Sequence, residues 1–580
     1  MKRPVVPFAL LAALVTALAV YQGSYGPGAF VVYLASVLCT ILALAPGGLR
    51  PRLRRPSLAS LRDVLPIALL VVLQLALVRY FGTFPTHFQH DEFITAYASW
   101  SLPNIAQIQW FVGYPAKGMW VCQFPILFFV LQKPFLMVLG PTVDAVRESV
   151  WPYLGLTTVY VYLLSKELSG RRVFGFVAAL CGIVFAPSLY LSSIGVHFHS
   201  STLFLIGSVY HLVRLLKPER RVHGVAVGLY GAFAYLTYTS SYITMPLLLG
   251  YVVWESAARK SWKPLKVFLP SLALFAVVML PFVVYALSVD NYFLQRAEQI
   301  NTLSGPDYGQ PALDRGSQAL AFILGQLSSN VKSLYEAGHV AKVTGYLFGG
   351  QAFFSPLGLG LFVAGCLVGL YRALFRSERG YLLMLGVLVL AFTTGMVLTM
   401  PAGGFHRVSL AYPFVGMAIA TGAFLPLTVI EGRKLQRVRD WPIWPIAVLV
   451  LVGAFAVTSI SRGYQMVVPD QTHDSPLIAR YLQEYVPPSE SVVIAADPYY
   501  HLARELFFRL DGRVIPSESA DKVLADRSFD VVILPYASAQ EISRMVERYP
   551  GARLVSTVDG VAMRDHKFLL ARGAQVASQP

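Results

Sequence analysis

Charge is scarce in this chain: of its 580 residues only 13% are Asp, Glu, Lys or Arg, whereas 56% are hydrophobic. That is too little charge to clothe a water-soluble fold of such length, so a membrane is the solvent that fits. Period-two alternation of apolar and polar residues is also missing, which excludes a transmembrane β-barrel. The four cysteines, Cys39, Cys122, Cys181 and Cys366, lie in or beside apolar runs without paired spacing, so neither a disulfide framework nor a zinc motif is indicated. Acidic residues are fewer than basic ones, 31 against 47, giving a net charge of +16. No basic helix or aromatic-interleaved patch accompanies that excess, so nucleic acid is not an expected partner. Membrane lipids are.

Apolar runs fill most of the first ~460 residues, each near the roughly 17–25 residues that cross a bilayer as helix. The Arg and Lys gather in short loops between them: 50–62, 166–172, 217–223, 259–266, 372–379 and 433–439. Placing all of these in the cytoplasm sets the alternation. The expected fold is a mainly α, polytopic helix bundle of about thirteen spans, near 5–22, 27–46, 64–82, 148–165, 173–190, 200–216, 224–239, 241–257, 266–288, 348–371, 380–400, 408–428 and 442–460. The N-terminus is then cytoplasmic and the C-terminus outside, in the cell (inner) membrane. The start, MKRPVVPFALLAALVTALA, has the build of a signal peptide ending at Ala17-Leu18-Ala19; an uncleaved anchor is the preferred reading. The run Val121 to Gly140 would invert every later loop if it crossed, so it is read as interfacial or re-entrant, in agreement with Pro125, Lys133 and Pro134.

Three regions follow: two N-terminal helices with a basic loop (1–63), a multi-spanning region (64–462) with external loops near 83–147 and 289–347, and a tail (463–580). In the tail, 491–497, 529–535 and 552–557 read as strands, with HLARELFFRL and AQEISRMVERY as amphipathic helices between them. That pattern predicts a small, partly parallel α/β extracytoplasmic domain. It has no Gly-rich phosphate fingerprint.

The first external loop carries His90, Asp91 and Glu92 just after a span. Adjacent carboxylates there are either a solvated pair favouring a helix N-terminus or a general base, a metal ligand, or both. His197 and His199, in SSIGVHFHSS, fall on the same face; at i and i+2 they would share a metal only from an irregular turn. Lys117, Tyr238, Tyr242, His406 and Arg407 also lie outside, where cations suit an anionic group such as a phosphate. For the tyrosines and the lysine, interfacial anchoring is the plainer role.

The order of these features resembles the multi-spanning C-type glycosyltransferases, in particular the dolichyl-phosphate-mannose protein mannosyltransferase and lipid A aminoarabinose transferase group. The similarity rests on HDEFITAYASW, on FPILFFVLQKPF, on the stretch from Ala145 to Leu180 with Arg147, Gly170, Arg171 and Arg172, on GLYGAFAYLTYTSSYITMPLL and on HRVSLAYPFV. It covers about residues 64–430; the first two helices and the tail are not clearly matched. The resemblance implies an inverting transferase that takes a sugar from a polyprenyl phosphate or diphosphate, with the first-loop carboxylate Asp91, seconded by Glu92, as catalytic base; sidedness alone places Lys117, His197, His199, Tyr238, Tyr242, His406 and Arg407 around the substrates. The acceptor is left open among protein, lipid and polysaccharide. Relatives often have a second Asp where this chain has GVHFHSS, so a divalent metal held by Asp91, His197 and His199 is an open expectation. A transporter or lipid flippase, with acidic and His residues binding a coupling ion, is the competing reading. A scaffold acting through its tail is a third.

Overall fold

Proline and glycine decide where the apolar runs stop being straight helices. In the computed structural model the described residues are 5–44, 58–83, 90–104, 107–111, 125–217, 222–289, 294, 298–305, 310–339, 346, 348–427, 443–467, 474–496, 501–525, 529–535, 539–548, 552–558, 561–563 and 566–570. Lys117 and Cys122 lie outside them, as does the side chain of His90.

The chain opens with an apolar hairpin, α1 (Val5–Tyr21) and α2 (Pro27–Leu44), followed by α3 (Leu58–Gly82). Three shorter helices come next: α4 (His90–Trp100), α5 (Leu127–Leu139) and α6 (Val143–Glu148). At 13 residues, α5 is about 20 Å long and too short to cross. It packs against α4 and α6 in the part of the chain read from sequence as interfacial.

Seven further helices make up the centre: α7 (Trp151–Ser169), α8 (Arg172–Val184), α9 (Ala186–Ser192), α10 (Phe198–Leu215), α11 (His223–Tyr235), α12 (Thr244–Ala258) and α13 (Lys263–Ser288). Over the expected span 173–190 the helix is broken: α8 and α9 meet at a 65° bend. Pro187, near the start of α9, has no N–H for the Ile183 carbonyl, so one continuous helix loses a rung there. Between α11 and α12 the chain turns through a 3-10 segment, Thr239–Ile243, leaving two short helices where two short spans are expected.

Beyond α13 the second long loop contains a helix, α14 (Ala319–Tyr335). Its Asn330 and Ser333 are buried while Leu320, Leu324 and Val331 face outward, the arrangement of a helix lying against hydrocarbon. The run expected at 348–371 begins as helix only at Pro356, where Ser355 caps α15 (Pro356–Phe375) by accepting from the Gly358 amide at 3.1 Å. After α16 (Tyr381–Phe392) comes a π turn, Thr393–Val397, and a 3-10 segment, Phe405–Ala411, leads into α17 (Tyr412–Ala423). A Cβ on Gly365 of α15 would sit 1.7 Å from the Ala418 carbonyl of α17, so these two helices touch backbone to backbone. The last apolar helix is α18 (Ile443–Val467).

Among the described residues five helices are long and apolar enough to cross a membrane, or six if the bent pair is one span. Their apolar residues point outward, as with Leu65 at 75% and Leu69 at 57% exposure. Together with the helical architecture this makes the chain an integral membrane protein.

Described residues in or beside several of the basic loops are held by carboxylates at one end of the bundle. Asp63 takes Lys166 and Arg172; Glu167 takes Arg214 and Lys217; Glu255 takes Arg259 and Arg379; Glu378 takes Arg372. Loops far apart in sequence thus share a face, as the charge pattern requires. The early hairpin leans on α13, where Tyr33 donates to the Val278 carbonyl at 3.2 Å.

After Asp474 the chain becomes water-compatible. The strands are β1 (Val492–Ala495), β2 (Ser517–Glu518), β3 (Val531–Pro535), β4 (Arg553–Val555), β5 (Thr557–Val558), β6 (Val561–Ala562) and β7 (His566–Leu570); β5 and β6 pair with each other, and the rest form a five-stranded sheet in the order β2–β1–β3–β7–β4, with β1 parallel to β2 and β3. β7 (His566–Leu570) returns antiparallel beside β3 and β4 (Arg553–Val555). Helices α19 (Asp474–Tyr485), α20 (His501–Arg509), α21 (Ala520–Ala525) and α22 (Ala539–Arg548) accompany it. Phe507 of α20 packs on Tyr97 and Trp100 of α4, with ring centres 5.7 and 5.8 Å apart. The region after residue 463 is therefore in contact with the helix that carries Asp91.

Candidate active site

Successive residues on a helix point about 100° apart, so two adjacent carboxylates must serve different neighbours. Asp91 and Glu92, in the first turn of α4, do. Glu92 is fully buried and accepts from Arg147 Nε at 3.1 Å, Arg147 Nη2 at 3.4 Å and the Gly195 amide at 2.7 Å. Arg147 also donates from Nη1 to the Gly82 carbonyl at 2.9 Å. One ion pair thereby ties the end of α3, α4, α6 and the turn before α10. A Cβ on Gly195 would lie 2.5 Å from the Val146 carbonyl, so this approach depends on glycine.

Asp91 turns the other way. Its Oδ2 accepts from the Tyr346 hydroxyl at 2.5 Å, a contact spanning 255 positions of sequence. Tyr346 is buried and stacks on His406, with ring centres 4.2 Å apart and planes 19° from parallel. Burial and the Asp91 charge push the Tyr346 hydroxyl well above its ordinary pKa, so it remains a donor. Phe198 packs beside Tyr346 and His406 and reaches Tyr238, which in turn touches the His197 ring at 4.8 Å. Burial pushes His197 down to about 4, against the opposing pull of the Asp91 charge and with a smaller push in the same direction from His199, so its imidazole is neutral. Asp91, His197, Tyr238 and His406 thus belong to one polar and aromatic cluster, with Tyr346 as the member no sequence motif announced.

The remaining candidates sit around it. Arg407 follows His406 in the buried 3-10 segment, donating to the Pro401 carbonyl at 3.4 Å and lying over Gly404. Asn330 holds that loop in place, donating to the Met396 carbonyl at 2.7 Å and accepting from the Gly403 amide at 2.8 Å. Tyr242 packs on Tyr235, ring centres 5.0 Å apart, and its carbonyl accepts from the Tyr235 hydroxyl.

His199 does different work. Its Nε2 donates to the carbonyls of Leu191 at 2.9 Å and Ile194 at 3.2 Å, closing the end of α9. That nitrogen therefore carries a proton and is not offered to a metal. Among the described residues no three His, Cys, Asp or Glu side chains converge as a ligand set. Asp91, His197 and His199 thus do not fit a shared metal.

The other end of α4 is also fixed. Lys133 donates to the carbonyls of Trp100, at 3.2 Å, and Leu102, where a cation complements the helix dipole. Ser99 donates to Gln132 at 2.6 Å and Gln132 to Ser149 at 3.0 Å, chaining α4 to α5 and to the residue after α6. A first turn with an acid on each side is thus presented from a helix held along its length.

Known proteins share this architecture. Residues 123–285 match the family model for dolichyl-phosphate-mannose-protein mannosyltransferase. The structure of ArnT from Cupriavidus metallidurans bound to undecaprenyl phosphate is similar over 88% of this chain and 99% of that one, with 13% identity and a TM-score of 0.53. The apo oligosaccharyltransferase of Archaeoglobus fulgidus is similar over 85% of this chain and 73% of that one, with 12% identity and a TM-score of 0.50. No curated protein matches the chain by sequence. The chain therefore shares the fold of these two solved structures over most of its length.

Proposed function

We propose that this protein is an inverting membrane glycosyltransferase that moves a sugar from a polyprenyl-phosphate donor to a hydroxyl acceptor on the non-cytoplasmic face. One observation carries the reading: Asp91 follows the end of α3 remote from Asp63 and its basic partners, and its carboxylate is oriented by the buried Tyr346 hydroxyl. In this reading the chain crosses about thirteen times, with the N-terminus inside and the region after residue 463 outside.

Asp91 accepts the acceptor's proton as the hydroxyl oxygen attacks the anomeric carbon, and the bond to the lipid phosphate oxygen breaks on the opposite side. Inversion follows from that single in-line displacement. A hydroxyl is too weak an acid to ionise beforehand, so proton and carbon–oxygen bond move together. Arg407, His406 and Lys117 are assigned to the phosphate as it gains charge. Glu92 and Arg147 position α4 and touch neither substrate. Support for a lipid-linked donor comes from the ArnT structure, which is bound to undecaprenyl phosphate.

The test is reconstitution of the full chain in liposomes with a radiolabelled undecaprenyl-phosphate sugar and envelope extract. Labelled glycosidic product with stoichiometric release of undecaprenyl phosphate is expected. Transbilayer movement of the donor without any glycosidic product would overturn this reading in favour of a flippase.

Tyr346→Phe isolates the orienting hydrogen bond. Loss of a bond to a charged acceptor is worth about 1.5–3 kcal/mol, so kcat is expected to fall on the order of tenfold or more with KM little changed. A kcat equal to the wild type would remove Tyr346 from the mechanism.

A further inference from the structure

Many of the cations at the end of the bundle with the basic loops are paired with carboxylates, but not all of them. Lys263 and Lys266, one turn apart at the start of α13, are both exposed, and neither lies within ion-pair distance of any carboxylate among the described residues. Like charges three positions apart on a helix repel, so something gains by coming between them.

Both line a cavity of about 710 Å³ enclosed by the end of α2, the start of α11 and the start of α13. Its chemistry is divided. Ser261 and the two lysines supply a polar rim, while Leu44, Val225 and Val267 supply apolar walls. Leu42 of α2 and Leu269 of α13 point outward beside it at 45% and 58% exposure, continuing the apolar surface toward the bilayer. Trp262, 71% exposed at the start of α13, is the amphipathic ring expected at headgroup level. A free phosphate would satisfy only the rim; a molecule with an anionic head and hydrocarbon tails satisfies rim and walls together.

We propose that this cavity binds an anionic phospholipid, its phosphate between Lys263 and Lys266 and its acyl chains along α2 and α13. Such a lipid would bridge the first hairpin, which the mannosyltransferase match does not include, to the body of the protein.

Native mass spectrometry of the full chain released from nanodiscs containing equal phosphatidylglycerol and phosphatidylcholine tests it. The wild type is expected to retain phosphatidylglycerol preferentially, and the K263Q/K266Q double variant to lose that preference by roughly thirtyfold, about fivefold for each surface lysine. K263R/K266R, which keeps both charges, is expected to retain the lipid, and K522Q, at an exposed lysine on α21, to behave as wild type. Retention of both lipids equally by the wild type would mean annular lipid only and overturn the proposal. So would displacement of the retained lipid by millimolar inorganic phosphate, which would assign the rim to a free anion. A double variant that elutes as a monodisperse protein yet keeps the wild-type preference would overturn it as well.

Discussion

Asp91→Asn is expected to lower kcat by on the order of 10²–10⁴ while leaving folding, membrane insertion and donor binding near the wild type. The amide keeps an oxygen that can accept from the Tyr346 hydroxyl, so the 2.5 Å contact and the Tyr346–His406 stack survive the change. What is lost is a proton acceptor at that position. The measurement is transfer from a labelled undecaprenyl-phosphate sugar by purified variant and wild type, with thermal midpoints recorded in parallel. An unchanged midpoint with collapsed turnover is the signature of chemistry. Near-normal turnover would remove the base role, and a collapsed midpoint would recast Asp91 as a structural anchor.

The same acid pair shows what a sequence can and cannot disclose. That HDE lies just beyond a span, on the face opposite the basic loops, is legible because hydropathy and charge report the membrane directly. Which acid is which is not, because the division of labour is made by partners far along the chain: Arg147 and Gly195 for Glu92, Tyr346 for Asp91. Tyr346 sits in a polar loop with no periodicity, and nothing local distinguishes it from the other tyrosines. The two histidines illustrate the same limit. Their shared face is readable, but only the carbonyls of Leu191 and Ile194 reveal that His199 closes a helix end while His197 joins the aromatic cluster. Helix ends are hard to read where a proline sits inside an apolar run, at Pro187 and Pro356, because hydropathy does not register a missing N–H. In the tail, strands rich in Val and Ile were visible, whereas β7, with His566 and Lys567, was not.

Removing one member of the Glu92–Arg147 pair is expected to cost about 3–5 kcal/mol of stability, because the survivor is a buried charge without its counterion. Glu92→Ala would leave Arg147, 8% exposed, facing an apolar gap and would orphan the Gly195 amide as well. Arg147→Lys is not a conservative change here: a single ammonium cannot reach both Glu92 oxygens and the Gly82 carbonyl, which the guanidinium serves through Nε, Nη2 and Nη1. Glu92→Gln keeps an acceptor for Gly195 and is expected to lose less. Replacing both members, as Glu92→Gln with Arg147→Met, removes the stranded charge and is expected to recover part of the stability lost by Glu92→Ala. Turnover should not recover with it, because the guanidinium that fixes α4 to α3 and to the turn before α10 is gone, and Asp91 is presented from that helix. Thermal unfolding in detergent and transfer assays on the same preparations separate the two effects. Single variants within about 1 kcal/mol of the wild type would show the pair to be solvated and dispensable, and full activity in the double variant would show that Asp91 is positioned without it.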